Sequence, residues 1–97
     1  MINQSGEGAV VVGERFDFSA HKEFLHNTNK LLEDAACKTI VIDLSRTQYI
    51  DSAALGMLVQ LHKKCQQENK ALRVHNAQDA VRDTLEIANM QKLLTIR

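Results

Sequence analysis

The most constraining feature of the sequence is the run TIVIDL at residues 39–44. It is apolar without alternation and rich in β-branched side chains, which predicts an interior β-strand. Because its apolar character is continuous, we expect both faces of this strand to be covered. Residues 9–12, 71–75 and 93–96 are predicted as three further strands, and an additional edge strand is expected within the first few residues.

Three segments with helical periodicity separate these strands, at residues 19–36, 52–69 and 77–88. In the second of them, one side is apolar, and Gly56 and Gln60 lie on the opposite side. Met57 falls at the boundary between the two sides. The outer side of this helix is therefore available to a partner.

Polar residues at the predicted helix ends suggest how each helix begins or stops. Ser19 and Ser52 are predicted N-caps of the first two helices, and Asn76 is a predicted cap of the third. Asn89 suits a left-handed stop after that helix.

The alternation of strands and helices with short connections predicts an α/β fold. We expect a central, mostly parallel (mixed) β-sheet of four to five strands with three to four α-helices. A length of 97 residues and a hydrophobic content of 44% suit a single domain over residues 1–97.

Composition excludes several classes of function. Twelve basic residues balance twelve acidic ones, so the net charge offers no general attraction for nucleic acid or anionic membranes. The N-terminus has no signal-peptide pattern, and no apolar stretch is long enough to be inserted in a membrane, which predicts a cytoplasmic protein.

Motifs for catalysis, metals and cofactors are missing from the sequence. The four histidines lack ligand spacing, and Cys37 and Cys65 are predicted to be reduced, partly buried thiols, so we expect no metal site. There is no G-x-S-x-G elbow and no glycine-rich phosphate loop. We therefore expect no catalytic residues, no cofactor and no enzymatic activity.

The segment VIDLSRTQYIDSAALGMLVQL, from residue 41 to 61, resembles the signature of the STAS family. That family has a strand ending in Asp-Leu-Ser, then Asp-Ser, small residues, Leu-Gly and an aliphatic helix. Residues 15–17 (Arg-Phe-Asp) are similar to the family's turn before its first helix, and residues 87–96 to its last turn and strand. Ala54 stands where many members have glycine, and Asn89 replaces the usual helix-ending glycine.

The resemblance implies a protein of the bacterial anti-sigma factor antagonist type. Such a protein binds a kinase-type anti-sigma factor or a similar serine kinase, is phosphorylated by it on the motif serine, and is reset by a serine phosphatase. Ser52 is the matching serine. The output governed by such a switch is a sigma factor or another pathway, such as biofilm formation or secretion.

The resemblance also implies a partner-binding surface around the motif serine. Asp51 either orients the hydroxyl, contacts the kinase or simply caps the helix, and Met57 belongs either to the core edge or to the interface. The predicted partner-binding residues are Asp17, Ser19, His21, Asp51, Ser52, Ala53, Gly56, Met57 and Gln60.

Two alternatives to this switch stay open. Without the surrounding motif, Ser52 would be interpreted as an ordinary N-cap worth ~1 kcal/mol. Within the family, the main alternative is a STAS subunit of a membrane ABC-type transport complex, which packs against an ATPase and is not phosphorylated.

Overall fold

The computed structural model describes residues 2–96, and within them the chain alternates between strands and helices. A 3-10 turn, Phe18–Ala20, precedes the first long helix, and another, Met90–Lys92, follows the last one. The elements in chain order are β1 (Glu7–Val11), β2 (Arg15–Phe16), α1 (His21–Glu33), β3 (Thr39–Asp43), β4 (Tyr49–Ile50), α2 (Ser52–Gln67), β5 (Ala71–His75), α3 (Asp79–Ile87) and β6 (Thr95–Ile96).

The main sheet has four strands in the order β1-β3-β5-β6, and every pair of neighbours is parallel. Ile40 of β3, for example, lies between Gly8 of β1 and Leu72 of β5. The predicted α/β fold with a mostly parallel sheet is therefore confirmed. Its last strand is shorter than predicted, since β6 begins only at Thr95.

Two short strands were not predicted. β2 and β4 form a separate parallel pair, with Arg15 opposite Tyr49 and Phe16 opposite Ile50. Each strand has only two residues, too few to produce a periodic pattern. Near the N-terminus, the expected edge strand is reduced to one antiparallel bridge between Ile2 and Gly8.

Among residues 2–96, the helices cover one face of the main sheet. A sequential strand order with right-handed parallel crossovers places all crossover helices on the same side. In β1, Val10 is buried and belongs to the core shared with the helices, whereas its neighbour Val11 is 51% exposed. The middle of β3 is buried on both faces, as expected, with Ile40 and Ile42 on the inner face and Val41 on the outer one.

A single cluster of buried side chains joins the inner face of the sheet to the three helices. The cluster includes Ile40 and Ile42 of the sheet, Leu58 of α2 and Leu85 of α3, each with no exposed surface. Both cysteines are free thiols, as predicted, and they are buried more completely than the partial burial that was expected. The helices are thus held in fixed positions against the sheet.

Two of the predicted helix starts were wrong. α1 begins at His21, and Ser19 lies in the 3-10 turn before it. α3 begins at Asp79 after Gln78. Asn76 does not cap α3 but adopts a left-handed conformation (φ 63°), which asparagine tolerates better than most residues. The left-handed stop at Asn89 is confirmed, with φ 59°.

Candidate functional site

The β2–β4 pair brings two distant segments of the chain together at one edge of the domain. Asp51 follows β4, and its backbone N–H donates to the carbonyl oxygen of Phe16 in β2 at 3.4 Å. The chain continues from Phe16 to Asp17 and from Asp51 to Ser52. Asp17 and Ser52 therefore lie at the same edge. This edge also carries the start of α1 and the start of α2.

Asp51 is the residue that caps α2. It has an extended backbone (φ −128°, ψ −176°), and its carboxylate accepts the backbone N–H of Ala54 at 3.1 Å. An aspartate in this position satisfies one of the unpaired amides of the first turn and favours the positive end of the helix dipole. The interpretation of Ser52 as the N-cap was therefore wrong.

Ser52 is the first residue of α2, and its side chain is exposed. No side-chain hydrogen bond ties its hydroxyl to another group among residues 2–96. The helix behind it is anchored, because Ala54 and Leu58 have no exposed surface. Ser52 thus presents an accessible hydroxyl on a fixed element.

Asp17 organises the opposite side of this edge. Its carboxylate accepts the backbone N–H of Ser19 at 3.0 Å, accepts the Ser19 hydroxyl, and is paired with the Nε of Arg15 at 3.1 Å. The Ser19 hydroxyl bond is the largest influence on the pKa of Asp17. With the help of Arg15, it holds that pKa below its ordinary value against the opposing effect of desolvation. Asp17 therefore stays charged, and Ser19 acts as its donor.

The turn capped by Asp17 presents an exposed aromatic side chain. Phe18 is 71% exposed, and its ring is stacked on His21, with 5.4 Å between ring centroids and 11° between planes. Large apolar side chains with this exposure are common at protein interfaces.

Phe18 forms one wall of a groove between α1 and α2, which we call the helix groove. Its volume is about 500 Å³. Met57 is buried and also lines the groove, so it lies at the edge of the core, one of the two places predicted for it. The residues lining the groove are Phe18, His21, Phe24, Leu25, Thr28, Ala53, Gly56, Met57, Gln60, Leu61 and Lys64.

The structure places the predicted partner-binding residues in two adjoining regions. Asp17, Ser19, Asp51 and Ser52 lie at the edge formed by β2 and β4. The other five, His21, Ala53, Gly56, Met57 and Gln60, line the helix groove. Their proposed contacts with a partner stay a prediction.

The site residues predicted from the sequence leave out several members of this region. Phe18, Leu25 and Lys64 line the helix groove, and Tyr49 supports the guanidinium of Arg15, which lies 4.3 Å from its ring centroid. The chain has only four aromatic residues, so an aromatic outside the buried pattern, such as Phe18, was the signal available.

The Asp-Leu-Ser segment at the end of β3 has a structural role. The carboxylate of Asp43 accepts the backbone N–H of Ser45 at 2.9 Å and the side-chain amide of Asn76 at 3.3 Å. Partial burial acts to raise the pKa of Asp43, but these bonds outweigh it and lower the pKa. Asp43 thus fixes the loop that leads from β3 to β4.

Within residues 2–96, no three side chains of the metal-binding types come together. None of the helices in the same range has the length and apolar character required to cross a membrane.

Comparison with known proteins identifies the family. The family model described as "Mlab, STAS domain" matches residues 2–95. A STAS-domain containing protein of Pseudomonas aeruginosa is 33% identical over 90 residues, which cover 93% of this chain and 87% of that protein.

Solved structures share the fold at low sequence identity. An anti-sigma factor antagonist from Mycobacterium paratuberculosis has a TM-score of 0.82 at 20% identity, covering 97% of this chain and 79% of that one. A sulfate transporter family protein from Wolinella succinogenes has a TM-score of 0.80 at 14% identity, covering 97% and 75%. The Bacillus cell fate determinant SpoIIAA in its phosphorylated form has a TM-score of 0.73 at 12% identity, covering 100% and 86%.

Proposed function

The chain belongs to the STAS domain family, and from that membership we propose that it is a regulatory binding protein controlled by phosphorylation of Ser52. With Ser52 unmodified, the protein binds a kinase-type anti-sigma factor or a related regulator. Phosphorylation by that kinase releases the partner, and a serine phosphatase restores binding. The protein acts in the cytoplasm as a binding module and has no catalytic residues of its own.

The observation that carries this proposal is the position of Ser52. Its side chain is exposed at the first residue of α2, while Asp51 makes the capping bond that a serine would otherwise supply. A kinase can therefore reach the hydroxyl, and modification does not remove the cap. Because α2 is anchored by buried side chains such as Leu58, the serine is offered in one position.

Electrostatics supports release as the consequence of phosphorylation. A phosphate adds a charge of about −1.5 to −2 next to the carboxylate of Asp51. The positive end of α2 tolerates that anion in the free protein. A docked partner would bury the phosphate together with the carboxylates of Asp51 and Asp17, at a cost in repulsion and desolvation. A thousandfold loss of affinity needs about 4 kcal/mol.

The surface around Ser52 supports a protein partner. Ser52 is followed by Ala53, which lines the helix groove, so one partner can cover the serine and the groove together. Phe18 offers an exposed aromatic anchor at the groove wall. Aromatic residues that insert into a partner, surrounded by contacts that exclude water, often contribute most of the binding energy of a protein interface.

Phosphorylation is tested by incubating the purified chain with the candidate kinase and ATP. We expect intact mass to increase by one phosphate and peptide mapping to place it on Ser52. Ser52→Ala should stay unmodified, whereas Ser5→Ala, which removes an exposed hydroxyl before β1 and outside the predicted partner-binding residues, should be modified like the wild type. An active kinase that leaves Ser52 unmodified would contradict the proposal.

A second candidate function is a STAS subunit of a membrane ABC-type transport complex. It is favoured by the likeness of the fold to the sulfate transporter family protein. In that case the same surface packs against an ATPase, and no phosphorylation occurs. Genes for a permease and an ABC-type ATPase beside this one, together with equal partner affinity of Ser52→Ala and Ser52→Asp, would favour it over the switch.

A further inference from the structure

The guanidinium group of Arg15 is held in place with most of its donors unused. Its Nε donates to Asp17 at 3.1 Å, and its central carbon lies 4.3 Å from the ring centroid of Tyr49. Among residues 2–96, its two terminal nitrogens make no hydrogen bond. The side chain is 61% exposed, so these nitrogens are available to a ligand at the surface.

Arg15 lies on the strand beside the one that leads into α2. Arg15 and Asp17 are two residues apart in an extended segment and therefore project to the same side. The bond to Asp17 shows that the Arg15 side chain runs forward along β2. In the adjacent strand, Tyr49 is paired with Arg15, and the chain continues through Asp51 into α2. Strands pair about 4.8 Å apart, so Arg15 and Ser52 belong to the same small surface.

Arg15 is a cation of this edge that suits a phosphate on Ser52. The carboxylates of Asp17 and Asp51 both lie there, and a phosphate would add a third anion. Of the basic groups of the helix groove, His21 is stacked on Phe18, and Lys64 lies twelve residues beyond Ser52 along α2, about 18 Å away. Arginine is suited to phosphate because its planar group donates two parallel hydrogen bonds.

We propose that Arg15 binds the phosphate of phosphorylated Ser52 through its two terminal nitrogens, with Tyr49 supporting the plane of the guanidinium. This inference rests on the proposed modification of Ser52. The Nε of Arg15 stays bonded to Asp17. Because Asp17 caps the turn that carries Phe18, Arg15 connects the phosphate to the wall of the helix groove.

The test uses the chain with phosphoserine introduced directly at position 52 by genetic code expansion. A ³¹P NMR titration measures the second pKa of that phosphate. A neighbouring cation favours the dianion and lowers this pKa. We therefore expect Arg15→Gln to raise the phosphate pKa by about one unit, and Arg15→Lys, which keeps the charge but not the two parallel bonds, to raise it less.

Lys30→Gln is the matched control. It removes one positive charge from the last turn of α1, about 13 Å along that helix from the turn at Phe18. This variant should leave the phosphate pKa at its wild-type value. An unchanged pKa in Arg15→Gln, or an equal rise in Lys30→Gln, would overturn the proposal.

A second measurement does not depend on any variant. The ¹H–¹⁵N signals of the Arg15 guanidinium are compared in the wild-type chain with and without the phosphate. We expect them to shift and to become protected from exchange in the phosphorylated chain, and identical signals would overturn the proposal. Because the phosphate is installed without a kinase, either result is independent of whether a kinase modifies Ser52.

Discussion

At the start of α2, one residue caps the helix and the next one carries an accessible hydroxyl. Asp51 accepts the N–H of Ala54 and caps the helix, while Ser52 remains exposed as the first helical residue. The STAS resemblance identified the Asp-Ser pair, but it did not establish which of the two was the cap. That distinction depends on the backbone angles of Asp51, which a sequence pattern does not contain.

The capping role of Asp51 predicts how substitutions at the start of α2 change the free energy of unfolding. Asp51→Ala should lower the free energy of unfolding by about 1 kcal/mol, whereas Asp51→Asn, which keeps the capping oxygen, should stay close to the wild type. Ser52→Ala is the neighbouring control and should change the value by less than about 0.5 kcal/mol. Urea unfolding measures all three, and a loss in Ser52→Ala as large as that in Asp51→Ala would show that the serine is the cap.

The buried thiol of Cys65 predicts that the stability of the protein depends on pH. Burial, with a smaller contribution from nearby Cys37, raises the pKa of its thiol from 9.0 to about 11, although Lys70 acts in the opposite direction. Between these two values the unfolded chain loses the thiol proton and the folded chain keeps it. The unfolded state therefore binds fewer protons, and stability falls as pH rises through this window.

The expected effect is a loss of roughly 2 kcal/mol between pH 8 and pH 10.5 that is specific to this thiol. Cys65→Ala removes the titrating group, so its free energy of unfolding should fall less steeply over the same range. Urea unfolding of both proteins at the two pH values provides the measurement. If the free energies of unfolding of the two proteins changed equally with pH, the assignment of this effect to the Cys65 thiol would be wrong.

The helices and strands themselves were largely predictable, because long periodic segments carry the information. Residues 71–75 match β5, and the run at 39–44 contains β3. The starts of α1 and α3 were missed for a local reason. Asp17 and Asn76 turn the chain through side-chain hydrogen bonds and a left-handed residue, and these turns replace the first helical turn that periodicity suggested.

The surroundings of Gly56 in α2 predict how substitutions there affect stability and binding in the helix groove. A Cβ atom added to Gly56 meets nothing within 4 Å, and glycine is unfavourable inside a helix. Gly56→Ala should therefore stabilise the protein by about 0.5–1 kcal/mol. If the groove docks a partner, the much larger Gly56→Trp should weaken binding without unfolding the protein.

Gly8 in β1 is the contrasting control. A Cβ atom there would lie 2.5 Å from Cδ2 of Leu31 in α1. Gly8→Ala should therefore destabilise the protein by about 1–3 kcal/mol, the usual cost of overfilling a packed core. Thermal unfolding distinguishes the two glycines. Destabilisation by both alanines to the same extent would contradict the described packing of α2.

For the whole molecule, the one-sided cover of the sheet is the feature that the sequence least anticipated. Three parallel crossovers in the same direction place every helix on one face, and strand order is absent from a hydrophobic pattern. Val41 on the open face is still buried. Arg73 of β5 pairs with Glu7 of β1 at 3.1 Å, so its side chain extends across β3, where Val41 lies between them.

Adjacent valines of β1 test this arrangement. Val10→Ala removes methyl groups from the core and should cost about 2 kcal/mol, whereas Val11→Ala on the open face should cost less than about 0.5 kcal/mol. Urea unfolding compares the two variants directly. Equal losses would mean that both faces of the sheet are covered.

The central claim is that phosphorylation of Ser52 controls binding to a partner. The most direct test measures the affinity of the candidate kinase-type partner for the unmodified chain and for the chain with phosphoserine at position 52, by isothermal titration calorimetry. We predict tight binding of the unmodified chain and a loss on the order of a thousandfold with the phosphate. Equal affinity of the two forms would contradict the claim.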